Sequence, residues 1–171
     1  VVLILGTIAD RFPKGRLNHW LPPDYLSLAV MVPTVFMAGA ALWVSISSRY
    51  VAPMFESAPW LRNLILVDPF AAFMGLVAAI GTLVVIVMSL DYFGEQGARH
   101  RAEYFALLFF ATTGILLVAA SIDLVMIYLS IELLSLCSYV LAAYWKTDAR
   151  SSEAGIKYFL FGAVSSAIML Y

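Results

Sequence analysis

Residues 124–145 read LVMIYLSIELLSLCSYVLAAYW, and this stretch decides the fold. It carries one formal charge, Glu132, near its centre. About 20 apolar residues in a helix are enough to cross the hydrocarbon core of a bilayer. The alternation of polar and apolar residues that a membrane barrel strand needs is absent from the stretch. We therefore predict a membrane-spanning helix with a carboxyl group inside it.

The composition of the whole chain agrees with this interpretation. Of its 171 residues 63% are hydrophobic and 12% are charged, whereas soluble domains carry about 25% charged residues. The net charge of −1 gives no support for a nucleic-acid partner. The single cysteine, Cys137, excludes an intrachain disulfide and metal motifs of the CxxC type. The predicted fold class is an all-α membrane protein.

Apolar stretches divide the chain into a predicted polytopic helical bundle, one transmembrane domain over residues 1–171. The expected helices are 1–9 (partial), 25–48, 68–90, 102–120, 124–145 and 152–171 (partial). Asp68 and Asp123 are expected to cap the helices that follow them. We interpret the chain as a fragment, about five or six helices of a larger bundle.

The basic residues of the connectors predict the orientation of the bundle. Alternate connectors lie on the same side of the membrane, and the cytoplasmic side is rich in Lys and Arg. The first, third and fifth connectors hold Arg11, Lys14, Arg16, Arg99, Arg101, Lys146 and Arg150, whereas the second and fourth hold Arg49 and Arg62. We therefore expect the first group of connectors to face the cytoplasm or an equivalent organelle compartment.

Two charged residues, Glu132 and Lys157, lie inside predicted spans and away from the span ends. A charge at the bilayer centre costs about 2.5–3.5 kcal/mol on insertion scales, so such residues usually face the bundle interior and serve a function. Tyr128, Ser135 and Tyr139 share one helix face with Glu132 and form a polar stripe. Apolar surroundings favour a protonated carboxyl group, whereas a nearby ammonium group favours the ionised form. Glu132 and Lys157 are therefore candidate proton-transfer residues.

The spacing of these residues limits how they can interact. At 1.5 Å per residue, Glu132 and Lys157 are offset by about 10 Å along the helix axes, which is too far for a simple contact. Glu153 lies four residues before Lys157 and can meet it directly on one helix face. A purely structural interpretation stays open, in which Glu132 is a hydrogen-bonding residue and Lys157 extends to the interface.

Two stretches of these helices resemble a known family. Residues 123–141 (DLVMIYLSIELLSLCSYVL) and 151–167 (SSEAGIKYFLFGAVSSA) are similar to subunit N of the proton-pumping NADH:quinone oxidoreductase, which is respiratory complex I or its chloroplast and cyanobacterial relatives. Residues 67–70 (VDPF) and the pair Glu103-Tyr104 also fit. The resemblance extends from about residue 67 to 171, and residues 1–66 agree only in hydropathy.

This resemblance implies an antiporter-like subunit, a bundle of about fourteen helices that contains inverted repeats. The chain would cover roughly its first third. Glu132 matches the family's fifth-helix glutamate, which is implicated in proton translocation. Lys157, with Glu153 before it, matches the lysine of the sixth helix. The rest of the proton path, including a central lysine on a broken seventh helix, would lie beyond residue 171.

The resemblance also implies cofactors, partners and location. No cofactor or metal is expected in this chain, because FMN, iron–sulfur clusters and quinone would be bound by other subunits. The expected partners are other membrane subunits of the complex, the lipid bilayer and protons, with NADH and quinone reached only through partner subunits. The bacterial inner membrane is the expected location, with the thylakoid or mitochondrial inner membrane as alternatives.

Two alternative functions stay open at this point. The chain could be a subunit of a multisubunit cation/proton antiporter or of a membrane-bound hydrogenase. It could also be a membrane scaffold without transport activity, in which Glu132 is only hydrogen-bonded.

Overall fold

The computed structural model describes residues 64–96 and 101–171, together with Val32 and Gly39. The four helices of residues 64–171 are α1 (Pro69–Gln96), α2 (Arg101–Ala120), α3 (Leu124–Ala142) and α4 (Ala149–Leu170). Each is long and apolar enough to cross a membrane, so the expected all-α membrane fold is confirmed. The predicted helices 1–9 and 25–48 lie outside the described residues, apart from Val32 and Gly39, which are helical.

Aspartate residues begin three of the four helices. Asp68, Asp123 and Asp148 each accept a hydrogen bond from a backbone N–H of the following first turn, at 2.7–3.0 Å. These bonds satisfy N–H groups that have no partner within the helix. The predicted caps at Asp68 and Asp123 are thus confirmed, whereas the cap at Asp148 was not foreseen.

The first described helix, α1, is longer than the predicted segment 68–90. Its apolar span is Pro69–Ser89, but the helix continues to Gln96. Hydropathy marks the part of a helix that hydrocarbon can surround. It does not mark where the backbone hydrogen bonds stop, because they continue into the polar end of the helix.

The turn between α3 and α4 also differs from the predicted boundaries 124–145 and 152–171. Helix α3 ends at Ala142 although the next three residues are apolar or aromatic. Helix α4 begins at Ala149, because the Asp148 carboxylate accepts a hydrogen bond from the N–H of Arg150. The polar residues that follow Asp148 therefore belong to the first turn of a helix and not to a loop.

Consecutive helices of the described part pack against each other. Between α1 and α2, Ile86 and Phe105 are fully buried. The hydroxyl groups of Thr82 and Thr112 meet across this interface at 2.7 Å. Hydrogen bonds between membrane helices contribute about 0.6 kcal/mol on average, so apolar packing supplies most of the stability here.

The two ends of the bundle are held by different contacts. At one end the segment before α1 bridges to the α2–α3 turn through Ile65 and Ser121. At the other end Trp145 donates a hydrogen bond from Nε1 to the Tyr92 Oη, at 3.0 Å. Trp and Tyr side chains are enriched where membrane helices meet the interface, and this contact lies at such an end of the bundle.

Helices α3 and α4 approach closely at two glycines. A Cβ atom on Gly155 would overlap the Cβ of Ala143, and one on Gly162 would overlap the hydroxyl of Tyr139. Small residues at such contacts let membrane helices approach one another. The contact at Gly162 is of this kind. We call the contact of Gly155 with Ala143 and of Gly162 with Tyr139 the α3–α4 seam.

We predict that Gly155→Ala destabilises the seam. The added methyl group forces the helices apart, and overpacking of this kind costs about 1–3 kcal/mol. Gly81→Ala is the matched control, since a Cβ there meets nothing within 4 Å and alanine favours helix formation. Unfolding of the purified protein by sodium dodecyl sulfate measures both. Equal stability of the two variants would contradict the tight contact.

Candidate functional site

Glu132 lies in the middle of α3, which spans Leu124–Ala142. The residue as a whole is half-buried. Its Oε1 atom is buried and has no hydrogen-bond partner among the residues that the structure describes. The other buried side-chain oxygen and nitrogen atoms of the described residues all have partners. The Glu132 Oε1 is therefore the buried side-chain atom of the described residues whose hydrogen bonding is incomplete.

An unpartnered buried oxygen has an energetic meaning. Leaving such a group without a hydrogen bond costs about 1–3 kcal/mol, and more when the group is charged. When buried polar groups without protein partners occur in native proteins, they mark a bound water or ion, a catalytic role or stored strain. The structural interpretation of Glu132 requires a hydrogen-bond partner, and the described residues do not provide one.

Glu132 is on the side of α3 that faces α4. It precedes Tyr139 by seven residues and Ala143 by eleven, which are close to two and three helical turns. Tyr139 and Ala143 both contact α4 at the seam. Leu134, which packs against Gly114 of α2, lies on a different side of the helix. The carboxyl group therefore belongs to the α3–α4 side of the bundle.

The predicted polar stripe follows the same side of α3. Tyr139 is buried, and its ring meets those of Tyr158 and Phe159 edge to face at centroid distances of 4.8 Å and 5.8 Å. Tyr128 and Ser135 are half-buried. A neighbouring face of α3, rotated by about 90° from the stripe, exposes Leu129, Leu136 and Val140 to about half of their area. The stripe therefore faces protein on α4, and the leucine face remains open to lipid or to a further helix.

Lys157 and Glu153 form an ion pair on α4. The Lys157 Nζ atom lies 2.5 Å from the Glu153 Oε1 atom, and the two side chains are 66% and 63% exposed. The expected contact between these residues is confirmed. Their role in proton transfer stays a prediction, as does that of Glu132.

Lys157 and Glu132 are not brought together. Lys157 follows Gly155 by two residues, a rotation of about 200° that turns it away from α3. Because the helices are antiparallel and Gly155 lies beside Ala143, Lys157 is level with about residue 141, roughly 14 Å along the axis from Glu132. The estimate of about 10 Å from the sequence was too short, because it placed the ends of the two helices at one level, whereas Gly155, six residues after the start of α4, lies beside Ala143 at the end of α3.

Potential metal ligands are dispersed in the described part of the chain. Across residues 64–96 and 101–171, His, Cys, Asp and Glu side chains do not gather in groups of three or more. Cys137 is a buried free thiol. The groups that these helices offer for chemistry are therefore the carboxyl groups of Glu132 and Glu153 and the ammonium group of Lys157.

A comparison with known protein families finds a match for the part of the chain that contains α3 and α4. A family model described as NADH:quinone oxidoreductase/Mrp antiporter, TM, matches residues 120–171, which include α3 and α4. A solved structure titled respiratory complex I from Thermus thermophilus with bound aureothin contains a similar chain. The match has a TM-score of 0.64 and 26% identity, and it covers 99% of this chain and 34% of that one.

Similar curated proteins extend the match to the rest of the chain. NADH-quinone oxidoreductase subunit N 2 of Rhizobium meliloti (strain 1021) is 38% identical over 173 residues, 100% of this chain and 32% of that protein. NAD(P)H-quinone oxidoreductase subunit 2 of Prochlorococcus marinus (strain MIT 9303) is 39% identical over 172 residues, 100% and 30%. Subunit N 1 of Rhizobium meliloti is 47% identical over 104 residues, 61% and 22%. The chain spans about a third of the length of the first two. Their alignments include residues 1–66, where the sequence alone offered only hydropathy.

We predict that Glu132→Met does not destabilise the helices. The change removes no hydrogen bond to the described residues, and loss of a buried polar oxygen leaves the free energy of unfolding unchanged or raises it by up to about 1–3 kcal/mol. Thr112→Val is the control, because it removes an observed interhelical hydrogen bond worth about 0.6 kcal/mol. Denaturation in detergent compares the two. A Glu132→Met protein less stable than Thr112→Val would favour the structural interpretation of the glutamate.

Proposed function

We infer the function of this chain from its similarity to the NADH:quinone oxidoreductase/Mrp antiporter transmembrane family over residues 120–171 and to subunit N proteins. We propose that it is the proton-translocating membrane subunit of an NADH:quinone oxidoreductase. In that role it couples electron transfer from NADH to quinone to the pumping of protons. The observation that carries the proposal is the buried, unpartnered Oε1 of Glu132 in the middle of a membrane-spanning helix.

The proposed chemistry of Glu132 is reversible protonation. A carboxyl group without a fixed partner favours its protonated form when its surroundings are dry. It favours the ionised form when water or a cation approaches. A change in hydration or in a nearby charge can therefore load and unload one proton. This cycle uses a group that the described structure leaves without a competing hydrogen bond.

Lys157 and Glu153 are proposed as a second proton-transfer site. Their ion pair lies on the side of α4 away from α3, and both side chains are more than half exposed. A direct exchange with Glu132 is opposed by the separation of about 14 Å along the helix axes. Water or further groups would have to connect the two sites. A Lys held by a carboxylate within a spanning segment is suited to contact with protein, because lipid cannot solvate the pair.

The redox chemistry is proposed to take place in partner subunits. FMN, iron–sulfur clusters and quinone would be bound there, and this chain would be a translocase subunit without its own redox group. The presence of one cysteine in 171 residues supports this division, since iron–sulfur clusters are held by several cysteines. The proposed partners are the other membrane subunits of the complex, and the proposed location is a bacterial inner membrane.

We predict that Glu132→Gln in the full-length subunit lowers NADH-driven proton pumping by about tenfold or more, in keeping with the loss of an acid–base group. Inverted membrane vesicles with a fluorescent pH indicator measure the pumping, and quinone reduction is recorded in parallel. Ser138→Ala is the matched control on the same helix, because the Ser138 hydroxyl donates only to the carbonyl of Leu134. Normal pumping in Glu132→Gln would overturn the proposal.

A cation/proton antiporter subunit is the second candidate, since the matching family model covers both classes. Purification of the full-length protein from its native membrane separates the two. Recovery with NADH-oxidising subunits supports the oxidoreductase. Recovery with other membrane subunits only, together with cation-driven proton movement in the absence of NADH, would replace it with the antiporter.

A further inference from the structure

Ser166 of α4 lies at the same depth in the bundle as Glu132 of α3. The contact of Gly155 with Ala143 fixes the register of these antiparallel helices. Glu132 precedes Ala143 by eleven residues, and Ser166 follows Gly155 by eleven. Equal steps in opposite chain directions along antiparallel helices lead to the same level. Ser166 and Glu132 therefore lie at the same height along the helix axes, about three turns from the Gly155–Ala143 contact.

The two side chains also lie on facing sides of their helices. Eleven residues correspond to about three turns, so the step returns each residue to within about 20° of its starting face. Glu132 thus lies on the same face of α3 as Ala143, and Ser166 lies on the same face of α4 as Gly155. Gly162, four residues before Ser166, contacts Tyr139 on this same face. The register therefore directs both polar groups into the space between α3 and α4.

Burial sets Ser166 apart from its neighbours on α4. Ser166 is half-buried, whereas Ser165 and Ala167 on either side are exposed. The hydroxyl of Ser165 donates to the carbonyl of Phe161, at 3.0 Å. Ser130 of α3 donates in the same way to the carbonyl four residues earlier. The Ser166 hydroxyl makes no such bond within the described residues, so its donor is available to another acceptor.

We propose that Ser166 is a positioning residue for Glu132 and that the two hold a water molecule between α3 and α4. Side chains of a helix lean toward its N-terminus, so on antiparallel helices the two groups lean apart and a water fits between them better than a direct contact. Ser135, on the polar stripe one turn from Glu132, supplies a third oxygen. A buried water makes about three hydrogen bonds, and the three side chains provide them.

A water held in this way would hydrate the Glu132 carboxyl group. The inference rests on the proposed function. The bridging water gives the Glu132 Oε1 the partner that the protein side chains do not. It also provides an entry for the proton along the α3–α4 side of the bundle. Ser166 acts through the water and not on the proton itself.

Infrared spectroscopy of the full-length protein in its native complex tests this assignment. The C=O stretching band of protonated Glu132 is identified as the band that Glu132→Gln removes. Ser166→Ala is expected to shift this band to higher frequency, because the carbonyl loses a hydrogen bond. Ser165→Ala, the adjacent matched control, leaves it in place, and Ser166→Thr, which keeps the hydroxyl, restores it. Pumping in Ser166→Ala falls about two- to tenfold, the effect of one hydrogen bond.

A cross-linking experiment tests the register independently of folding effects in Ser166→Ala. In a Cys137→Ala background, the double variant Glu132→Cys, Ser166→Cys is expected to be cross-linked by a short bifunctional thiol reagent. The double variant Glu132→Cys, Lys157→Cys is expected not to be cross-linked. No link between 132 and 166 would overturn the inference.

The outcomes separate this inference from the proposed function. An unshifted band in Ser166→Ala with pumping lost in Glu132→Gln overturns the role of Ser166 and leaves the pump intact. A shifted band with normal pumping in Glu132→Gln retains the water site and overturns the pump. Equal shifts in Ser166→Ala and Ser165→Ala would also overturn the specific role of Ser166.

Discussion

The close approach of α3 and α4 at Gly155 and Gly162 is the constraint on which the rest of the site depends. A side chain at Gly155 would force the helices apart, because the Cβ and backbone of Ala143 already occupy the space, and one at Gly162 would displace the buried ring of Tyr139. Dispersion forces that stabilise packed membrane helices fall steeply with distance. The contact therefore holds the two helices together and fixes how far each is shifted along the other. The depth and direction of every functional group on this side of α3 follow from that register.

The buried hydroxyl groups of α1 and α2 have hydrogen-bond partners within the described residues. Thr82 and Thr112 bond to each other and to carbonyls on their own helices, and Ser89 reaches the hydroxyl of Tyr104 at 3.0 Å. Against this background an unpartnered carboxyl oxygen at Glu132 costs stability that a simple scaffold has no reason to lose. A group that must bind and release a proton, however, is better served by a water than by a fixed protein donor. The incomplete hydrogen bonding is thus consistent with the proposed transport role.

Glu132 of α3 and the Lys157–Glu153 ion pair of α4 lie in separate regions of the bundle. Glu132 lies toward α4, whereas Lys157 and Glu153 lie on the far side of α4 and are more than half exposed. Since charged pairs are unfavourable against lipid, that outer face suits contact with further protein. The relatives that the chain matches are about three times its length, and such proteins have further segments that can supply this contact. The proton path we propose would then use both sides of α4.

Sequence patterns sufficed to predict the membrane class, the approximate positions of four helices and Glu132 as a candidate proton-transfer residue. Hydropathy, aspartate caps and a lone charge in an apolar run are properties of a single segment, and they can be recognised without knowing what packs against it. The ion pair of Glu153 and Lys157 was also predictable, since a spacing of four residues places both on one helix face. Only the tertiary structure decided that Lys157 turns away from Glu132 and that Ser166 lies level with it. Register and facing depend on the shapes of two helices at their contact, and no property of either helix alone contains that information.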